Sequence, residues 1–140
     1  MNMRKTDHEA ETTALMPDQH QAIVVVEDDA GMRKAIERLL RAAGFHVVLF
    51  PSAEALLETD AANSAGCLVL DIQLPGLSGF ELRRRLLASG HNAPVIFITA
   101  HDEASARDEA QRLDCIAYFR KPFEGSALLE AIRRALNRGP

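Results

Sequence analysis

The sequence predicts an α/β fold, a five-stranded parallel sheet with helices on both faces. Two observations carry this. Five short apolar or β-branched runs, near residues 22–26, 45–50, 67–70, 94–98 and 116–119, alternate strictly with stretches whose apolar residues recur every three or four positions. Several of these runs are apolar at consecutive positions, the pattern of strands buried on both faces. Strict alternation with short connections and right-handed crossovers leaves few other topologies.

Residues 1–20 are polar, mixed in charge and without a sustained period, so a mostly disordered extension is expected there, with a transient turn of helix around Glu9 to Leu15. Residues 21–140 form the folded unit. Its first strand, Ala22 to Val26, stops on three acids, Glu27, Asp28 and Asp29. In the helix that follows, Met32, Ala35, Ile36, Leu39, Leu40 and Ala43 share one face, Arg33, Lys34, Glu37, Arg38 and Arg41 the other, and Gly44 ends it. Phe45 to Phe50 is the second strand. Pro51 and Ser52 then start a short helix with Ala53, Leu56 and Leu57 on its apolar side. The third strand, Cys67 to Leu70, ends on Asp71, and Leu74-Pro75-Gly76 cannot continue it. A helix from Gly79 to Ala88 turns Leu82 and Leu86 inward and Arg83, Arg84 and Arg85 largely outward as a solvated face, with Gly90 as its stop. The fourth strand, Pro94 to Ile98, closes on Thr99-Ala100. The next helix, Glu103 to Leu113, offers mainly Ala104, Ala106, Ala110 and Leu113 for burial and should be weakly held. Ile116 to Phe119 runs into Arg120-Lys121-Pro122, and a last helix, Glu124 to Leu136, buries Leu128, Leu129, Ile132 and Leu136.

A chain of 140 residues that is 47% hydrophobic can bury one domain's core, and five βα units use up that length. The net charge of −4 recruits neither nucleic acid nor an anionic membrane. No apolar run approaches the roughly 20 residues of a membrane span, and the N-terminus lacks an apolar secretory core, so a cytoplasmic protein is expected. Two cysteines are too few for a disulfide framework. His8, His20, His46, His91 and His101 show no zinc-ligand spacing.

In a parallel sheet all strands end at one edge, where ligands of open α/β sheets bind. Here that edge collects Glu27, Asp28 and Asp29, then Asp71, Thr99 and Lys121. Two carboxylates about 4 Å apart repel by about 4 kcal/mol at an effective dielectric of 20. A raised pKa, a cation or a divalent metal relieves that repulsion, and hard oxygen ligands suit Mg²⁺. Acids, a hydroxyl and a lysine around a metal describe a phosphoryl-transfer site in which one carboxylate can be the nucleophile.

Four ordered motifs make the reading specific. VVVED, LVLDIQLPGLSG, FITA and YFRKPF, spread over about Ala22 to Leu136, resemble the marks of the receiver domain of two-component response regulators. The resemblance implies a flavodoxin-like sheet of order 2-1-3-4-5. It separates Cys67 from Cys115 by a strand, too far to bridge. It makes Asp71 the phospho-acceptor for a sensor histidine kinase or histidine phosphotransfer protein. Mg²⁺ would be held by Asp28, by Glu27 through water, by Asp71 and by the backbone carbonyl of Gln73. Lys121 and Thr99 would contact the phosphoryl group, Tyr118 would follow Thr99 inward, and the Lys121-Pro122 bond would be cis. Such a domain is no enzyme beyond promoting its own phosphorylation and dephosphorylation.

By the same resemblance, a downstream effector protein or output domain reads the face formed by residues 103–119 and 124–136, which would also serve a homodimer, with no direct nucleic-acid or membrane contact. Three departures stand out: Glu27 where Asp is commoner, Leu113-Asp114-Cys115 in place of an Ala-Gly-Ala-like turn, and Gln73 and His101 at positions that tune dephosphorylation. Two other functions compete. A metal-dependent phosphatase would place a second Asp two residues after the nucleophile, where Gln73 stands. A DNA-binding regulator would carry its reading helix beyond Leu136, making this chain only its input half.

Overall fold

A computed structural model describes residues 21–138, so the expected extension over residues 1–20 lies outside the described residues. The five strands are β1 (Ala22–Val26), β2 (Val47–Phe50), β3 (Ala65–Asp71), β4 (Val95–Thr99) and β5 (Ala117–Arg120). All pairings are parallel, in the order β2-β1-β3-β4-β5. Among the described residues the helices are α1 (Ala30–Ala42), α2 (Ala53–Leu57), α3 (Gly79–Ala88), α4 (Ala104–Arg112) and α5 (Gly125–Leu136), with one 3₁₀ turn, Ala61–Ser64, ahead of β3.

Two cores result, one on each face of the sheet. Ile23, Val25, Val69, Ile96 and Ile98 pack with Ile36 and Leu40 of α1 and with Leu128, Ala131, Ile132 and Ala135 of α5. Val24, Val26, Leu68, Leu70, Val95 and Phe97 pack with Ala53 and Leu56 of α2, Leu82 and Leu86 of α3, and Ala110 at the end of α4. Both faces of β1, β3 and β4 are therefore sealed, which is why their apolar residues run consecutively. No helix among the described residues is long and apolar enough to cross a membrane.

The local ends follow from side-chain chemistry. Asp29 caps α1 by accepting the Met32 N–H at 2.7 Å. Ser78 and Glu81 cap α3 reciprocally, each accepting the other's backbone N–H. A side chain at Gly79 would collide with the Asp71 carbonyl, so glycine here lets α3 start directly beneath the end of β3. In the turn before β5, Asp114 takes a left-handed backbone with φ of 58°. Asp is among the few non-glycine residues that tolerate this conformation, so the departure from a glycine-containing turn keeps a tight turn.

Several expectations need correction; Ala35 and Ala104, for example, are exposed rather than on a buried face. Arg83 is not on a solvated face: it is buried, donating from Nε to the Leu113 carbonyl at 3.3 Å and from Nη1 to the Ala93 carbonyl at 2.7 Å. It thereby ties α3 to the strand entry before β4 and to the end of α4, something that helical spacing cannot reveal. Leu57, assigned to an apolar side, is exposed, because α2 stops after five residues with only Ala53 and Leu56 fully covered. In α5 the fully buried positions are Leu128, Ala131, Ile132 and Ala135, while Leu129 and Leu136 are partly buried at the margin of the core.

Candidate functional site

β3 carries Asp71 to the carboxyl edge as its last residue, flanked by β1 and β4. The chain continues alongside past β1, with the Glu27 N–H donating to the Phe50 carbonyl of β2, so one more backbone hydrogen bond to β2 holds Glu27, which is fully buried. On the far side, the Lys121 N–H donates to the Thr99 carbonyl at 2.7 Å and delivers Lys121 to the same edge. The Lys121-Pro122 peptide bond that follows is cis.

Lys121 Nζ lies 2.8 Å from Glu27 Oε1 and 3.0 Å from Asp71 Oδ2, bridging the two buried acids. Asp71 Oδ1 accepts the Gln73 N–H at 3.1 Å, and Glu27 Oε2 accepts the Asp29 N–H at 3.0 Å. Asp28 is exposed beside them, and Glu27, Asp28 and Asp71 can each place a carboxylate oxygen within 4.8 Å of the others. Burial pushes the Glu27 carboxyl above its ordinary pKa against hydrogen bonds from Lys121 and Asp29, and the Asp71 charge pushes the same way. Burial also opposes the charge on Lys121, but the two carboxylates outweigh it and raise its pKa.

A divalent cation fits this donor set. With all groups ionised, three carboxylates and one ammonium leave two uncompensated negative charges, and the ligand atoms are all hard oxygens. Asp29, which caps α1, is spoken for.

Thr99 is fully buried and its hydroxyl donates to Gln73 Oε1 at 2.7 Å while accepting the His101 N–H at 3.0 Å. Tyr118 lies on β5. Its ring packs on the Ala110 side of the core, with the Arg107 guanidinium 5.7 Å from its centroid and Arg107 in turn paired with Asp102. Its hydroxyl is buried without a hydrogen-bond partner among the described residues. One residue escaped sequence reasoning. Arg33, placed only on the face opposite the apolar stripe, donates from Nη1 to the Glu27 carbonyl at 2.9 Å and bolts the acidic loop to α1.

A family profile described as "Response regulator receiver domain" matches residues 23–133. The chain belongs to that family. Among curated proteins, the receiver is 38% identical over 125 residues to the response regulator protein TmoT of Ectopseudomonas mendocina, a match covering 89% of this chain and 57% of the relative. It is 39% identical over 114 residues to the transcriptional regulatory protein FixJ of Bradyrhizobium diazoefficiens, covering 81% of this chain and 56% of that protein. The chain thus spans little more than half the length of these relatives. Among solved structures, "Crystal structure of FixJ-N" superposes with a TM-score of 0.78 at 34% identity, covering 86% of this receiver and 96% of that chain. A structure of the response regulator StyR gives 0.78 at 41% identity, covering 84% and 60%. The sheet order 2-1-3-4-5 is shared with these receivers, as the resemblance implied.

Proposed function

We propose that Asp71 is the phospho-acceptor of this receiver. The observation that carries the reading is the bridge from Lys121 to Asp71 and Glu27 at the end of β3, with Asp28 beside it. Asp28, Asp71 and Glu27, with the Gln73 carbonyl, would hold Mg²⁺, which when bound neutralises charge on the transferring phosphoryl oxygens. The protein's own groups do the rest. An Asp71 carboxylate oxygen attacks phosphorus of a phosphohistidine, the P–N bond breaks as the P–O bond forms, and the electron pair leaves with the imidazole. Lys121, already aimed at Asp71, pairs with the phosphoryl oxygens instead. The Thr99 hydroxyl turns to the same group, and Tyr118 moves inward behind it.

The donor is a sensor histidine kinase or a histidine phosphotransfer protein, and the setting is the cytoplasm. The readout is the face of residues 103–119 and 124–136, offered to an effector, an output domain or a second copy. The coverage of just over half of TmoT and FixJ favours a second reading, in which this chain is the input half of a longer DNA-binding regulator. Residues 21–140 are the receiver unit in either case, with residues 1–20 an extension of it.

The test is transfer from acetyl phosphate, followed by intact mass with and without Mg²⁺. A single phosphoryl adduct that requires Mg²⁺ and disappears in Asp71→Asn is expected. An adduct that survives Asp71→Asn would mean that another residue accepts the phosphoryl group.

A further inference from the structure

Thr99 has one hydroxyl proton and two acceptors within reach, Gln73 Oε1 at 2.7 Å and the His101 carbonyl at 3.0 Å. The shorter contact takes the proton. Gln73 is well placed to hold it, because its backbone N–H is pinned to Asp71 Oδ1 and the side chain reaches Thr99 from a fixed base. Gln73 lies in the loop after β3 and Thr99 ends β4, 26 positions apart in the chain.

We infer that the Gln73 side chain is a brake on the switch, holding the Thr99 hydroxyl away from the phosphoryl position until phosphorylation outcompetes it. This rests on Asp71 being the phospho-acceptor. If Thr99 is to donate to a phosphoryl oxygen, its proton must leave Gln73 Oε1, so the resting contact and the active contact exclude one another. A ligand at Asp71 shifts the equilibrium only by the difference between the two states, and the Gln73 bond is part of that difference. Gln73 is exposed, so its amide oxygen is rehydrated when Thr99 departs and only the net worth of one hydrogen bond is at stake. The His101 carbonyl remains as a fallback acceptor, which places the effect toward the lower end of that range, about two- to fivefold in the resting-to-active ratio. Gln73 is thus a positioning residue acting through Thr99.

The experiment titrates the full chain with beryllofluoride in Mg²⁺, following the Lys121 backbone amide resonance, which every variant retains, in a cycle with variants at both positions. Gln73→Ala should tighten apparent binding about two- to fivefold. In a Thr99→Ser background, which keeps the hydroxyl, the gain should persist. In a Thr99→Ala background it should vanish. Wild-type affinity or weaker binding in Gln73→Ala overturns the brake alone, as does a gain that survives Thr99→Ala. Failure of the wild-type chain itself to bind beryllofluoride overturns the brake together with the reading of Asp71.

Discussion

Helices α4 and α5 flank the same end of the sheet on opposite faces, and they are held by different physics. α5 sinks Leu128, Ala131, Ile132 and Ala135 into the core. α4 sinks only Ala110. What α4 has instead is charge: Arg107 with Asp102, Arg84 with Glu109, and Arg112 with Glu109, all at the surface. Buried apolar area stabilises in proportion to the surface removed from water, whereas exposed ion pairs are screened and contribute little. A helix attached by replaceable pairs can shift at small cost, and α4 follows the strand that carries Thr99. The difference teaches which of the two helices is free to move. It is α4, with α5 as the more firmly held wall.

The sharpest way to break this contrast is to remove apolar bulk from the wall. Ile132→Ala should cost about 2–5 kcal/mol in denaturant unfolding, because the cavity cannot collapse between two packed layers. A loss no larger than that of Ala110→Gly would mean that the two helices are anchored alike. Next in size is Arg83→Met. It strips the Leu113 and Ala93 carbonyls of their donor and should destabilise by about 1–3 kcal/mol. Because Leu113 is the C-cap of α4, amide exchange there should speed up at the C-terminal end of the helix; uniform exchange along α4 would show that Arg83 does not anchor it.

Arg107→Gln should leave the global unfolding midpoint where it is and still accelerate exchange in the first turn of α4, since it removes the pair with Asp102 and the contact to Tyr118. A large fall in the midpoint would make the surface pairs structural. The smallest effect is a titration. Burial raises the Tyr118 phenol above its ordinary pKa, the Asp102 charge pushes the same way, and Arg107 opposes both. A folded pKa above the unfolded value of about 10 means stability that is complete below pH 10 and lost as pH rises through the folded value. Tyr118 is the sole tyrosine of the chain, so phenolate absorbance reads it alone. The midpoint should lie above the ordinary value and rise further in Arg107→Gln, and an ordinary midpoint would place the ring in solvent.

Much of the architecture was legible because it depends on short-range pattern. Consecutive apolar residues in 22–26, 67–70 and 94–98 announce strands covered on both faces, and strict alternation orders the connections. The weakness of α4 was visible too, since a helix with so few large apolar side chains has little to bury. The candidate site was legible because each of its chemical groups ends a strand, and parallel strands end together. Strand edges were less so: β2 begins at Val47 rather than Phe45, and β3 starts earlier, at Ala65, since pairing with β1 decides where a ladder begins.

By itself, then, the sequence determined the layers, the strand ends and the set of acids gathered at one edge, all consequences of hydrophobic period and chain direction. Only the tertiary structure decided which side chains meet. Arg83 reads as one of three surface arginines, yet carbonyls from two distant loops give it reason to be buried. Arg33 reads only as part of the face opposite the apolar stripe, yet it holds the acidic loop. The Gln73–Thr99 hydrogen bond joins residues that neither period nor motif connects. Such contacts depend on the approach of separate segments to within about 3 Å, a distance that packing sets and local pattern does not encode.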